Sequence, residues 1–215
     1  APIISNAARE SGILTIGIVT RPFGFEGSFR RESAEEGLAH LGPACDTLIV
    51  IPNDRILHLV ARRTAADKAF KLADEILYQG VNAITSVITS QGEINLDFAD
   101  IKAVMKGAGP AWLSMGQATG QNRAVEAAKA CIASPLLDAS MAGATAILYT
   151  FTAGSDITLT EIEEAGQIIR KTADPAANII FGLIYSPDMS NEVKIVLVAT
   201  GFSYKPGKAN MAARE

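Results

Sequence analysis

The chain has 215 residues, 48% in the hydrophobic set, 20% charged, with a formal net charge of −4. That apolar content excludes a disordered chain, and 19 Lys+Arg against 23 Asp+Glu exclude a basic nucleic-acid binder. Cys45 and Cys131 lie too far apart for a metal knuckle, and no apolar run approaches the roughly 20 residues that span a bilayer.

Taken in order, segments of two periodicities alternate, which predicts α/β layering. Residues 2–11 read as the end of an amphipathic helix that Gly12 stops. The chain thus begins at Ala1 inside a helical pattern, without Met or signal peptide, and reads as a piece of something longer. Residues 13–19 (ILTIGIV) predict a parallel strand covered on both faces. TRPFGFEG is a shaped loop, 29–41 a helix, and DTLIVI a second buried strand followed by Pro52-Asn53-Asp54. Apolar residues from Phe70 to Ile88 recur at three- and four-residue spacing, predicting a helix over 67–89. At about 1.5 Å per residue it exceeds 30 Å, enough to run between two domains. A short helix to Gly107 follows. From there the pattern predicts a four-stranded α+β domain: strands at 111–119, 144–153, 178–185 and 192–200, helices at 121–133 and 160–172. SPDMSN should join the last two strands as a hairpin-like turn. Residues 204–215 form a polar tail.

Much chemistry is excluded. His40 and His58 have no partners at metal-ligand spacing. GxSxG, GxxxxGK[ST] and GxGxxG are all absent, so any phosphate loop must come from elsewhere. Two loops remain. The first joins Thr20–Gly27 and Asn53-Asp54 at the carboxyl ends of parallel strands, where open α/β sheets bind ligands. Here Glu26 and Arg30 form either a sugar-and-phosphate contact or an i,i+4 surface pair, and spacing alone favours the surface pair. The second is NLDFAD. Asn95, Asp97 and Asp100 gather at a helix start, where capping is the simpler use and polarising a water is the other.

At these residues the sequence resembles the FtsZ family of bacterial tubulin-like cell-division GTPases. The resemblance is carried by TRPFGFEGSFR, DTLIVIPNDRIL, KAFKLADEIL and GEINLDFADIKAVM. It continues in SPLLDASMAGATAILYTFTAGSDITLTEI and DPAANIIFGLIYSPDMSNEVKIVLVATGF, covering residues 1 to about 202. The resemblance implies an order of parts. Residues 1–63 are the remainder of a Rossmann-like GTP-binding domain. Residues 64–106 are the central helix and catalytic synergy loop, and 107–203 the C-terminal α+β domain. The helix APIISNAARE matches the one after the family's glycine-rich GGGTGTG loop. The phosphate loops would therefore lie upstream, and this chain alone should bind GTP poorly.

Residue roles follow from the same resemblance. Glu26 and Arg30 match the ribose and phosphate contact, and Asn53 the asparagine at the guanine. Phe70 matches the aromatic that stacks on the base, although spacing alone makes it a core residue. Asp74, one turn on, matches the acid that reads guanine. Asn95, Asp97 and Asp100 match the synergy loop, which acts on the nucleotide of the next subunit in a head-to-tail filament. GTP or GDP is the implied ligand, with Mg2+ beside the transferred phosphate. The implied partners are further copies of the chain and other division proteins, with no nucleic acid and no membrane insertion. The implied location is cytoplasmic, at the division site. Glu93 departs from the family's apolar residue and adds a third acid to the loop. The other reading is a folded assembly or filament-end binding module without GTP binding of its own. A diverged paralogue that polymerises without efficient hydrolysis is a third, opposed by the intact Asn95, Asp97 and Asp100.

Overall fold

A computed structural model describes residues 1–58, 64–89, 97–136 and 144–202. The expectations for Glu93, Asn95 and the tail at 204–215 therefore lie outside the described residues.

The first layer is built from α1 (Pro2–Glu10), β1 (Ile16–Arg21), α2 (Ser28–Leu41), β2 (Thr47–Pro52) and the single turn α3 (Asn53–Ile56). The long helix α4 (Ala66–Thr89) and the short α5 (Phe98–Met105) follow. Then come β3 (Gly109–Thr119), α6 (Arg123–Ile132), β4 (Ala146–Ala153), α7 (Leu159–Thr172), β5 (Asn178–Tyr185) and β6 (Glu192–Thr200). These elements match the expected ones to within about three residues.

All described strands form one sheet, in the order β1-β2-β3-β6-β4-β5. β3 carries the sheet from the first layer to the second. Gly109–Ala111 pair parallel with β2, and Trp112–Thr119 pair antiparallel with β6. β1 pairs parallel with β2, as expected; among the described residues that is its one partner, and it is half-buried along its length. β2 alternates buried and half-buried residues, so only one of its faces is closed.

The hairpin at SPDMSN is corrected. β5 and β6 are not neighbours, because β4 lies between them, parallel to β5 and antiparallel to β6. β6 is buried at seven of its nine positions and half-buried at the other two, is nearly continuously apolar, and takes the central slot that such a strand needs. The connection therefore passes over the end of β4. Gly154 N–H donates to the Met189 carbonyl at 3.1 Å, and Asn191 N–H to Asp156 Oδ2 at 3.1 Å.

Two apolar layers close the sheet. On one face Ala73, Ile76, Ala83 and Ile84 of α4 and Ile101, Val104 and Met105 of α5 share a core with Ile49, Leu113, Leu148 and Val198. That core spans strands from both halves, so the long helix lies across the junction. The other face packs Ala127 and Cys131 of α6 and Ile162, Ala165 and Ile169 of α7 against Ile147, Phe151 and Leu197. Burial pushes the Cys131 thiol up to about 12, so it is an inert core group.

Arg123, only 5% exposed, ties this second layer together. Its Nε donates to Glu161 Oε1 at 2.8 Å, its Nη1 to Asp156 Oδ2, and its Nη2 to the Asp156 carbonyl at 3.1 Å. The guanidinium holds both carboxyls below the usual carboxylate range. A depressed folded-state pKa stabilises above the unfolded-state value and is lost as pH falls through the folded value. The thermal midpoint is therefore expected to fall below about pH 4. In Arg123→Met that acid dependence should flatten, as thermal melts between pH 3 and 6 will read. An equally steep fall in the variant would count against the network.

Candidate functional site

β1 and β2 run parallel and end side by side at Arg21 and Pro52, so their following loops share one edge of the sheet. Beyond Pro22, Phe23 is extended and opens a single 3-10 turn over Gly24–Glu26. Glu26 Oε1 accepts from Phe23 N–H at 2.9 Å, which fixes the carboxylate across the turn. Gly27 has φ 95°, a conformation that favours glycine, and redirects the chain into α2. Asp54 joins the two loops by accepting from Gly24 N–H at 2.8 Å. Phe23 is buried beneath them; its ring stacks on Phe25 at 5.0 Å and meets Phe70 edge-on at 5.3 Å.

This frame encloses an open concavity of about 480 Å³ lined by Thr20, Pro22, Glu26, Arg30, Ser33, Ala34 and Asn53. Arg30 Nη1 lies 2.9 Å from Glu26 Oε2, with the carboxylate largely buried and the guanidinium mostly exposed. The pair is thus the i,i+4 contact that spacing allows, and it also lines a cavity. Asn53 is 6% exposed, and among the described residues its Oδ1 has no hydrogen-bond partner. A buried acceptor left unpaired costs about 1–3 kcal/mol. A ligand N–H at that position would remove the cost.

The structure therefore brings Glu26, Arg30 and Asn53 together. Phe70 is not in the lining; it is 43% exposed and reaches the same loop through Phe23 and Phe25. Asp74 is exposed on the next turn of α4 and does not line the concavity. Sequence reasoning placed Thr20 in the candidate loop and did not single out Ser33. Ser33 sits three residues after Arg30 on α2, and that helical spacing was the available signal.

Asp97 and Asp100 lie elsewhere. Asp97 caps α5, its Oδ1 accepting from Ala99 N–H at 3.2 Å, and Asp100 stands exposed in the first turn. The far end of α5 is fastened at the start of β2: Thr47 Oγ1 donates to the Met105 carbonyl, and Gly107 N–H to Asp46 Oδ1 at 3.3 Å. The start of β2 is roughly 20 Å from Asn53 at its other end. α4, whose first turns meet Phe23 and Phe25, runs about 36 Å away from the concavity. The concavity and the acidic helix start thus belong to opposite ends of the molecule. Among the described residues, no three His, Cys, Asp or Glu side chains cluster to hold a metal.

Residues 1–61 match the GTPase domain of the Tubulin/FtsZ family, and residues 109–203 match the C-terminal domain of the FtsZ family. The chain is similar to FtsZ of M. jannaschii, determined as an empty dimer, with 39% identity, a TM-score of 0.89, and coverage of 93% of this chain and 58% of that one. The chain belongs to the tubulin/FtsZ family. The resemblance read from TRPFGFEGSFR and NLDFADIKAVM is borne out, as is the mixed α/β tubulin/FtsZ-like fold. Two proteins of Haloferax volcanii share that fold at lower identity. CetZ1, a GDP-bound monomer, is 17% identical with a TM-score of 0.74, covering 95% of this chain and 61% of that one. CetZ2, a GTPγS-bound protofilament, is 15% identical with a TM-score of 0.73, covering 92% and 59%. The chain spans about three-fifths of the length of each of these structures. Among the described residues, no helix is long and apolar enough to cross a membrane.

Proposed function

We propose that this chain is part of an FtsZ-type GTPase whose subunits stack head to tail into filaments for cell division. The observation that carries this reading is the unpaired, buried Asn53 Oδ1 in a concavity that also holds Glu26 and Arg30. A guanine base offers N–H donors to such an acceptor, ribose hydroxyls suit Glu26, and a phosphate suits the exposed Arg30. Phe70 supplies an exposed aromatic face next to the loop, and Asp74 an acceptor one turn on. The GDP and GTPγS bound by CetZ1 and CetZ2 support a guanine nucleotide as ligand. Mg2+ would come with the phosphates, and the remaining phosphate contacts from an upstream segment. By itself the chain would not turn GTP over.

Asp97 and Asp100 stand too far away to serve this chain's own concavity. Stacking a second copy in the same orientation puts its acidic helix start over the first copy's nucleotide. Asn95 completes the set in this reading. The carboxylates would orient and polarise the attacking water, making hydrolysis depend on assembly. Such a contact is heterologous and does not close, which builds filaments. Residues 1–63, 64–106 and 107–203 would then act as nucleotide part, central helix with catalytic loop, and C-terminal part. The setting would be the cytoplasm, at the division site, with other division proteins as partners.

The test is guanine-nucleotide affinity and GTP turnover of this chain mixed with a separately expressed amino-terminal GTPase segment of the family. Asn53→Ala is expected to weaken binding about tenfold, the worth of one lost hydrogen bond of about 1.4 kcal/mol. Its folding midpoint should not fall, because the variant also removes the unpaired acceptor. No turnover in the mixture, with both pieces folded, would instead favour the assembly module without nucleotide chemistry.

A further inference from the structure

β5 is the outermost strand on the side of the sheet away from β1, and among the described residues it pairs only with β4. Two bonds fix which groups it uses. Asn178 N–H donates to the Thr145 carbonyl and Ser186 N–H to the Ala153 carbonyl, each at 2.9 Å. In a parallel ladder, alternate residues bond the same neighbour. Asn178, Ile180, Gly182 and Ile184 therefore face β4. The backbone N–H and C=O groups of Ile179, Phe181 and Leu183 point out of the sheet.

Proteins usually blunt such an edge with lysine, proline or a bulge. NIIFGLIY contains no charge and no proline, and its register with β4 runs unbroken from Asn178 to Tyr185. The flanking side chains are apolar on both faces. Ile180 and Leu183 are buried, and Ile179, Phe181 and Ile184 half-buried. Phe181 is held in place by stacking on Tyr149 at 6.0 Å.

We propose that this edge is a two-fold contact in which β5 pairs antiparallel with β5 of a second copy. Self-pairing centred on Phe181 sets Phe181 opposite Phe181, Ile179 opposite Leu183 and Ile180 opposite Gly182. Each outward N–H then meets an outward carbonyl, and each cross-strand pair is apolar on a common face. A charged strand would lose hydration on this edge without finding a counter-charge, whereas the strand's own sequence brings none. A two-fold contact closes at the dimer, unlike a head-to-tail filament, and needs no nucleotide. It therefore stands or falls separately from the reading above.

Sedimentation equilibrium of the chain without nucleotide, from about 5 to about 500 µM, tests it. The expected result is a monomer–dimer equilibrium without larger species. Ile179→Pro removes an outward N–H that the β4 ladder does not use, and should weaken the dimer at least tenfold while the monomer still unfolds cooperatively. Ile179→Lys, which leaves the backbone intact, should do the same and decides the matter if proline disturbs the fold. Ile3→Ser, on the exposed face of α1, should leave the dimer unchanged. A wild-type chain that stays monomeric, or pairs only with an added uncharged extended peptide, overturns the proposal. So does a dimer that neither Ile179 variant weakens.

Discussion

Gly116→Ala is expected to destabilise the protein by about 3 kcal/mol, at the upper end of what overpacking a core typically costs. A methyl group at Gly116 would lie 2.0 Å from the Ala127 carbonyl oxygen and 2.4 Å from the Cys131 nitrogen. Both atoms belong to the backbone of α6, so no rotamer change relieves the clash. The helix would have to lift from β3, opening the core that Ala127, Cys131, Ile147 and Leu197 share. Gly80→Ala is the informative contrast. Its methyl would meet Leu113 Cδ2 at 2.8 Å, the mobile end of a side chain. Alanine within a helix also gains up to about 1 kcal/mol over glycine. The two effects should nearly cancel. Urea unfolding of both variants checks the pair, and a Gly116→Ala protein within about 1 kcal/mol of the parent would contradict the packing of α6 on β3.

Asp97→Asn should reduce GTP turnover in the complemented protein by at least about 100-fold, the lower range for losing a positioned acid or base. Asparagine caps helices as well as aspartate does, so α5 should survive the change. The substitution thus separates the two uses of this side chain, which share one position and one geometry. An unchanged melting midpoint with lost turnover assigns Asp97 to chemistry. Unchanged turnover would leave it as the cap its bond to Ala99 N–H already shows.

That overlap also explains how far the sequence could be read. Local patterns were legible: the apolar spacing from Phe70 onward marks a helix, and α4 ends at Thr89 as expected. Non-local pairings were not. SPDMSN between two apolar strands looks like a hairpin, and only the insertion of β6 between β3 and β4 shows otherwise. β1 reads as a strand covered on both faces, and among the described residues it is half-buried along its length. Arg123 carried no expectation, because its partners Asp156 and Glu161 lie more than thirty residues away in sequence. Phe70 fits an apolar stripe by spacing, while its partners lie in the loop holding Phe23 and Phe25. The loop residues Glu26, Arg30 and Asn53 could be placed on one edge from strand order alone. The burial that leaves Asn53 Oδ1 unpaired could not.

The central claim is that the concavity of one subunit is served by the acidic helix start of another. It is tested most directly by mixing two inactive variants in the complemented protein. One carries Asp97→Asn and keeps its concavity; the other carries Glu26→Ala with Asn53→Ala and keeps its acids. Random head-to-tail assembly pairs an intact site with an intact acid at roughly a quarter of the contacts. Recovery of about that fraction of parental GTP turnover is the result predicted here. No recovery, with both variants folded and co-assembling, would mean that each subunit's acids serve only its own site.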